Sequence, residues 1–185
     1  MWYPIKDYSL KEAKEFLRKD FIKVVKRTKY LYVECKPRKN IGYGFFEPIV
    51  LCLSWCDFLG ALYCGSGKQI SKGGLGNTER SKTFINEILG NINPKYKEAS
   101  QELVKMYRNG TVHAYAPSGG FDIRINDTSE HLNKNNNKKL IISIEQFVND
   151  MIEGTNYFAK LLHLNSKTMC YGSLVAFNKG RSELE

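Results

Sequence analysis

Apolar side chains recur every three or four positions along the first part of the chain. Ser9 and Glu12 have the spacing of a capping box, so the pattern predicts an amphipathic helix from Ser9 to beyond Tyr30. Its predicted buried stripe consists of Leu10, Ala13, Leu17, Phe21, Val24, Thr28 and Leu31. The opposite face carries Lys11, Lys14, Arg18, Lys19, Lys23, Lys26 and Arg27. This first helix therefore presents one apolar and one strongly basic face.

The pattern changes at Pro48, where a nearly unbroken apolar run extends to about Cys64. A helix that is apolar on all sides is either a membrane span or the buried centre of a bundle. We expect the buried centre, because Asp57 near the middle is costly in a bilayer and the other helices need a partner to pack on. If Asp57 is buried, its carboxylate must also have a hydrogen-bonding partner.

Three further amphipathic helices and two strands follow. The helices are predicted over 78–91, from Asn93-Pro94 toward Tyr107, and over about 145–164. Alternation at 121–126 and an apolar run at 140–144 predict two strands that form a hairpin. The sequence thus predicts a mainly α single domain over 1–185. It is a bundle of about five helices with a small β-hairpin insertion near 121–144, a core over about 9–164 and a C-terminal tail over 165–185.

Charge and cysteine content narrow the choice of compartment and partner. The 185 residues include 28 basic and 19 acidic side chains, a net charge of +9, and twelve basic against five acidic residues lie within 1–40. Such an excess favours polyanionic partners. The odd count of five cysteines and an N-terminus unlike a signal peptide predict a cytoplasmic protein with reduced thiols. We expect no metal, no cofactor and no membrane association, and interpret His131 as a solvated residue.

The segment Arg108-Asn109-Gly110-Thr111-Val112-His113 carries the candidate chemistry. It resembles the signature of the HEPN superfamily, an Arg and a polar residue followed by a His, on a helical bundle. The resemblance implies a metal-independent endoribonuclease of the toxin or RNA-processing kind. It also implies a homodimer in which two motifs line a shared cleft, and it leaves room for an antitoxin-like protein partner.

The residue types suit RNA cleavage by attack of the 2′-OH on the adjacent phosphate. His113 would transfer the proton, and Arg108 would stabilise charge on the phosphate. Asn109, four residues before His113, lies on the same helical face and would orient the imidazole. Because Arg108 lies about 140° from His113 on a continuous helix, it must reach the site through its length, a break at Gly110 or a second subunit.

Each candidate residue also has a structural interpretation. Arg108 could stabilise a helix C-terminus, and His113 could be an ordinary surface residue. Asp57 could support the site by pairing with Arg108 or His113, or it could hold a hydroxyl or a loop. The supporting aromatic residues Tyr107 and Tyr115 could stack on bases or pack in the core.

Three functional hypotheses follow from these candidate residues and from the basic face. In the first, the chain cleaves RNA at His113 and binds it through Lys19, Lys23, Lys26 and Arg27. In the second, it is a non-catalytic module on the same scaffold that binds nucleic acid or a partner. The third is a small-molecule enzyme, which would require a deep closed cavity away from residues 108–113. The basic face itself could also be no more than a solvated surface.

Overall fold

The computed structural model describes residues 7–35, 47–66, 74–106, 121–162 and 174–184. Within these ranges the chain forms six helices and one two-stranded sheet, so the prediction of a mainly α fold with a small β insertion is confirmed. Helix α1 is a continuous helical run of four segments, Leu10–Glu15, Phe16–Phe21, Ile22–Lys29 and Tyr30–Glu34. Helix α2 is Glu47–Cys64, and α3 consists of Gly76–Phe84, Ile85–Leu89 and Gly90–Ile92. Helices α4, α5 and α6 are Lys95–Met106, Ile144–Leu161 and Leu174–Leu184.

The predicted start of α1 is confirmed, but part of its predicted buried stripe is wrong. The Ser9 side chain accepts a hydrogen bond from the Glu12 N–H, and the Glu12 carboxylate accepts one from the Ser9 N–H. Val24 and Leu31 are exposed, whereas Val25 is fully buried. The segment Phe16–Phe21 is π-helical and so turns less per residue, and after it the buried face continues at Ile22, Val25 and Thr28.

Helix α2 is the centre of the bundle, as its apolar pattern predicts. Among the described residues it is the one helix whose length and composition would allow it to cross a membrane, and more than half of that span is buried inside the protein. Helices α3, α5 and α6 pack against it. Gly60 and Gly180 allow this close packing, because a Cβ at Gly60 would collide with the Arg80 carbonyl and one at Gly180 with the Ala61 carbonyl.

The two strands lie where the sequence predicts, but the expected hairpin is wrong. Strands β1 (Phe121–Arg124) and β2 (Leu140–Ser143) are parallel, with Phe121 opposite Leu140. A parallel pair requires the chain to cross over between its strands. The crossover returns antiparallel to β2 itself, since the Leu132 N–H donates to the Ile141 carbonyl and the Ile141 N–H to the Asn133 carbonyl, both at 2.8 Å. A local turn therefore takes the hydrogen bonds that a β1–β2 hairpin would have used.

Residues 174–184 form a helix rather than the tail predicted from their weak periodicity. Phe177 of α6 is fully buried and belongs to the same core cluster as α1, α2 and α5. The folded core therefore extends beyond the predicted range of 9–164. Gly180 obscured this helix in the sequence, because glycine disfavours helices, although here its missing side chain is what allows α6 to approach α2.

Candidate nucleic-acid interface

The Arg108–His113 motif follows α4 in the sequence and falls outside the described residues. Helix α4 ends at Met106, and Tyr107, Arg108, Asn109, His113 and Tyr115 all fall in the following stretch, 107–120, that the structure does not describe. The predicted roles of these five residues, and the position of the motif relative to α1, remain predictions. The described residues include the basic face of α1 and two polar clusters inside the bundle.

Helix α1 presents its cations outward along its second half. Lys23, Lys26 and Arg27 are exposed and, at 100° per residue, fall within an arc of about 100° on the helix surface. Val25 and Thr28, on the opposite side of the same segment, are buried. Because Val25 and Thr28 pack in the core, the opposite, cationic face of α1 points to solvent. Three of the predicted nucleic-acid-binding residues therefore share one solvent-facing surface.

Ion pairing differs along this surface. Lys19 Nζ lies 2.8 Å from Glu15 Oε1, and this hydrogen bond raises the pKa of Lys19 and lowers that of Glu15. Lys23 Nζ lies at 4.0 Å from Asp20 Oδ1, the limit of an ion pair. Exposed pairs of this kind are weak and exchange readily with other anions. The lysines therefore remain available to a polyanion that approaches from solvent.

A surface groove of about 420 Å³ extends the basic face toward the start of α1. It is lined by Leu10, Lys11, Lys14, Glu15, Arg18 and Lys19. Four of these six residues are cationic, but the wall of the groove is mostly apolar, so their charge acts around it rather than inside it. It lies on the outside of one helix and is not the deep closed cavity that a small-molecule enzyme would require.

Asp57, predicted to support the motif, forms a bidentate ion pair with Arg80. Arg80 Nε donates to Asp57 Oδ1 at 2.8 Å, and a second guanidinium nitrogen donates to Oδ2 at 3.1 Å. Only 8% of the Arg80 side chain and 21% of the Asp57 side chain are exposed. This pair joins α2 to α3 and gives Asp57 the partner that burial demands. Any contact of Asp57 with Arg108 or His113 lies outside the described residues.

His131 is buried, so its interpretation as a solvated residue is wrong. Only 2% of His131 is exposed, and its Nε2 lies 3.0 Å from the Tyr96 hydroxyl. Tyr96 donates to Asp150 Oδ2 at 2.9 Å, and the Gln146 side chain donates to the other Asp150 oxygen at 2.7 Å. We call His131, Tyr96, Asp150 and Gln146 the buried polar network. The network links the turn that precedes β2 to helices α4 and α5.

Hydrogen bonding fixes the protonation of the buried polar network. The Ser143 N–H donates to His131 Nδ1 at 3.0 Å, so a neutral ring carries its proton on Nε2 and donates to Tyr96. Burial lowers the pKa of His131 to about 4 and raises that of Asp150 to about 6. Burial and the neighbouring Asp150 also raise the pKa of Tyr96 well above its usual range. No sequence pattern indicates this cluster, because Tyr96, His131 and Asp150 lie far apart along the chain.

The cysteines of α2 behave as core side chains. Cys52 and Cys56 are fully buried, and Cys56 Sγ lies 3.7 Å from Met151 Sδ. Burial raises the pKa of both thiols, so they stay protonated at neutral pH. In the described ranges no three His, Cys, Asp or Glu side chains are grouped so that they could hold a metal ion.

No protein-family profile, curated protein or solved structure matches the chain. The HEPN resemblance rests on Arg108, Asn109 and His113 in the sequence.

Proposed function

We propose that this protein binds RNA along the basic face of α1 and cleaves it without a metal at the Arg108–His113 motif. The observation that supports the proposal is the outward-facing set of Lys23, Lys26 and Arg27, held in place by the buried side of the same helix. Lysine and arginine side chains in such a row bind successive phosphates and displace their counterions. The groove on α1 is open to solvent, which suits an extended polyanion better than an enclosed small substrate.

The proposed cleavage is an internal transfer of the phosphate. The RNA 2′-oxygen attacks the adjacent phosphorus as its proton passes to His113, and the bond from phosphorus to the 5′-oxygen breaks. Arg108 stabilises the negative charge that grows on the non-bridging oxygens. The leaving 5′-oxygen takes a proton, and the products are a 2′,3′-cyclic phosphate and a 5′-hydroxyl. No metal or redox step is required.

A homodimer would complete this site. Arg108 and His113 diverge by about 140° on a regular helix, so two motifs facing one another supply an arginine and a histidine to the same phosphate. The second His113, protonated, is then the acid that protonates the leaving oxygen. An acidic antitoxin-like partner would block the site by covering the basic face of α1.

A non-catalytic nucleic-acid-binding module is the second candidate. The basic face of α1 favours it, because binding through this face requires nothing from residues 107–120. The two candidates make the same prediction for affinity and opposite predictions for turnover. His113 is the residue that separates them.

The cleavage test uses purified protein, a labelled single-stranded RNA and excess EDTA. Wild type is expected to yield fragments ending in a 2′,3′-cyclic phosphate. His113→Ala and Arg108→Ala are each expected to lower the rate by about 100-fold or more, the usual effect of losing a positioned proton-transfer or charge-stabilising group.

Replacement of a histidine outside the motif provides the control. His163→Ala is expected to cleave at the wild-type rate. Binding without cleavage by wild type would assign the protein to the non-catalytic candidate. Cleavage that persists in His113→Ala and Arg108→Ala would show that the motif is not the active site.

A further inference from the structure

Helix α1 exposes three large apolar side chains. Tyr30 is 58% exposed, Val24 51% and Leu31 47%. At 100° per residue, Val24 and Leu31 lie about 20° apart and form one apolar strip along the edge of the basic face. A helix that already buries Phe21 and Val25 in the core gains nothing from leaving these three side chains in water. Their position beside the cations requires a separate explanation.

Tyr30 lies among the cations rather than beside them. On the helix surface it falls within about 60° of Lys23, Lys26 and Arg27, and it lies one to two turns from each along the helix axis. Its side chain hydrogen-bonds to that of Cys35, which raises the pKa of Tyr30. The same turn is closed by the Cys35 N–H, which donates to the Tyr30 carbonyl at 2.8 Å. The exposed ring is therefore held at the C-terminal end of the cationic surface, on the same side of the helix as the three cations.

We propose that Tyr30 is a stacking platform for unpaired bases, so that α1 binds single-stranded rather than double-stranded RNA. This inference rests on the proposed function and specifies its substrate. Lys23, Lys26 and Arg27 would bind phosphates, while a base stacks on the Tyr30 ring. An aromatic ring within a positively charged surface is the arrangement that favours single strands, because every unpaired base offers a face for stacking.

The same surface fits other polyanions less well. In a duplex the bases already stack on one another, so the Tyr30 ring would meet only sugar and phosphate. A membrane-surface helix inserts a broad apolar face among the lipids, whereas the broad apolar face of α1 is buried in the bundle. Three exposed apolar side chains among cations suit one or two bases rather than a lipid layer.

The test compares a single-stranded 2′-O-methyl RNA with the same sequence in a duplex, by fluorescence anisotropy. The 2′-O-methyl group removes the attacking hydroxyl, so binding is measured without cleavage. Tyr30→Ala is expected to weaken single-strand binding about 5- to 150-fold and to change duplex binding less than about 2-fold. Tyr30→Phe, which keeps the ring, is expected to bind single strands like wild type.

Val175→Ala provides the matched control, because Val175 is similarly exposed, at 49%, on α6. Thermal unfolding of each variant shows whether it is folded. Equal losses on single strand and duplex, or no loss with Tyr30→Ala, would overturn the stacking role while leaving RNA binding intact. Tyr30-dependent binding to anionic phosphatidylserine vesicles that is tighter than RNA binding would assign the surface to membranes. Wild type that binds neither nucleic acid would overturn the proposed function as well.

Discussion

At the scale of single residues, several buried polar side chains find hydrogen-bond partners inside the bundle. His131, Tyr96 and Asp150 are nearly inaccessible to solvent, yet each makes at least one hydrogen bond. An unpaired polar group at such a depth costs about 1–3 kcal/mol, whereas a satisfied network specifies one arrangement of the helices. Asp57 and Arg80 do the same between α2 and α3.

The buried polar network predicts an unusual response of stability to pH. The pKa of Asp150 is raised from 3.8 to about 6, so its contribution to stability is fully present below pH 3.8 and is lost as pH rises through 6. The pKa of His131 is lowered from 6.5 to about 4, so its contribution is present above pH 6.5 and is lost as pH falls through 4. In the wild type the two effects oppose each other between pH 4 and 6.5.

Asp150→Asn removes one of these opposing contributions and keeps an acceptor for Tyr96. Relative to wild type, the variant is expected to lose about 2–3 kcal/mol of unfolding free energy between pH 6.5 and 4, because only His131 then titrates. Urea unfolding across this pH range measures the difference. Asp20→Asn, at an exposed carboxylate, is the control. Parallel pH curves for wild type and Asp150→Asn would contradict the assignment.

At the scale of elements, the existence of α1 to α5 followed from the sequence, whereas helix α6 and the finer register of α1 did not. The capping box at Ser9, the apolar run of α2 and the Asn93-Pro94 start of α4 each have a local physical cause, so they were predictable. The π-helical turn at Phe16–Phe21 has no comparable signal in the spacing of apolar residues, which matches a regular α-helix through this segment. Parallel pairing of β1 with β2 depends on the crossover between them.

The register of α1 can be tested at two adjacent valines. Val25→Ala is expected to lower the unfolding free energy by about 1–3 kcal/mol, because Val25 is fully buried in the core. Val24→Ala is expected to change it by less than about 0.5 kcal/mol, since Val24 is half exposed. Chemical denaturation of the two variants measures both values. A larger loss at Val24 than at Val25 would restore the regular stripe predicted from the sequence.

At the scale of the whole molecule, the pattern of apolar and polar positions predicted the fold class but could not decide the function. An apolar central helix surrounded by amphipathic helices leads to a mainly α bundle by burial alone. The candidate site was harder to predict, because its two parts, the basic face of α1 and the Arg108–His113 motif, depend on different information. The basic face of α1 is visible in the spacing of its lysines, whereas its relation to His113 depends on tertiary packing that the sequence does not encode locally. The exposed position of Tyr30 also became clear only from the structure.

The most direct measurement of the central claim, that the outer face of α1 binds RNA, is the salt dependence of single-stranded RNA affinity. Each phosphate contact contributes a slope of about −0.7 to log K against log salt. The triple variant Lys23→Gln, Lys26→Gln, Arg27→Gln is therefore expected to flatten the wild-type slope by about 2. The charge-matched triple Lys97→Gln, Lys138→Gln, Lys160→Gln, on other exposed surfaces, is expected to keep it. Equal slopes for the two triple variants, or wild-type affinity that does not depend on salt, would contradict the account.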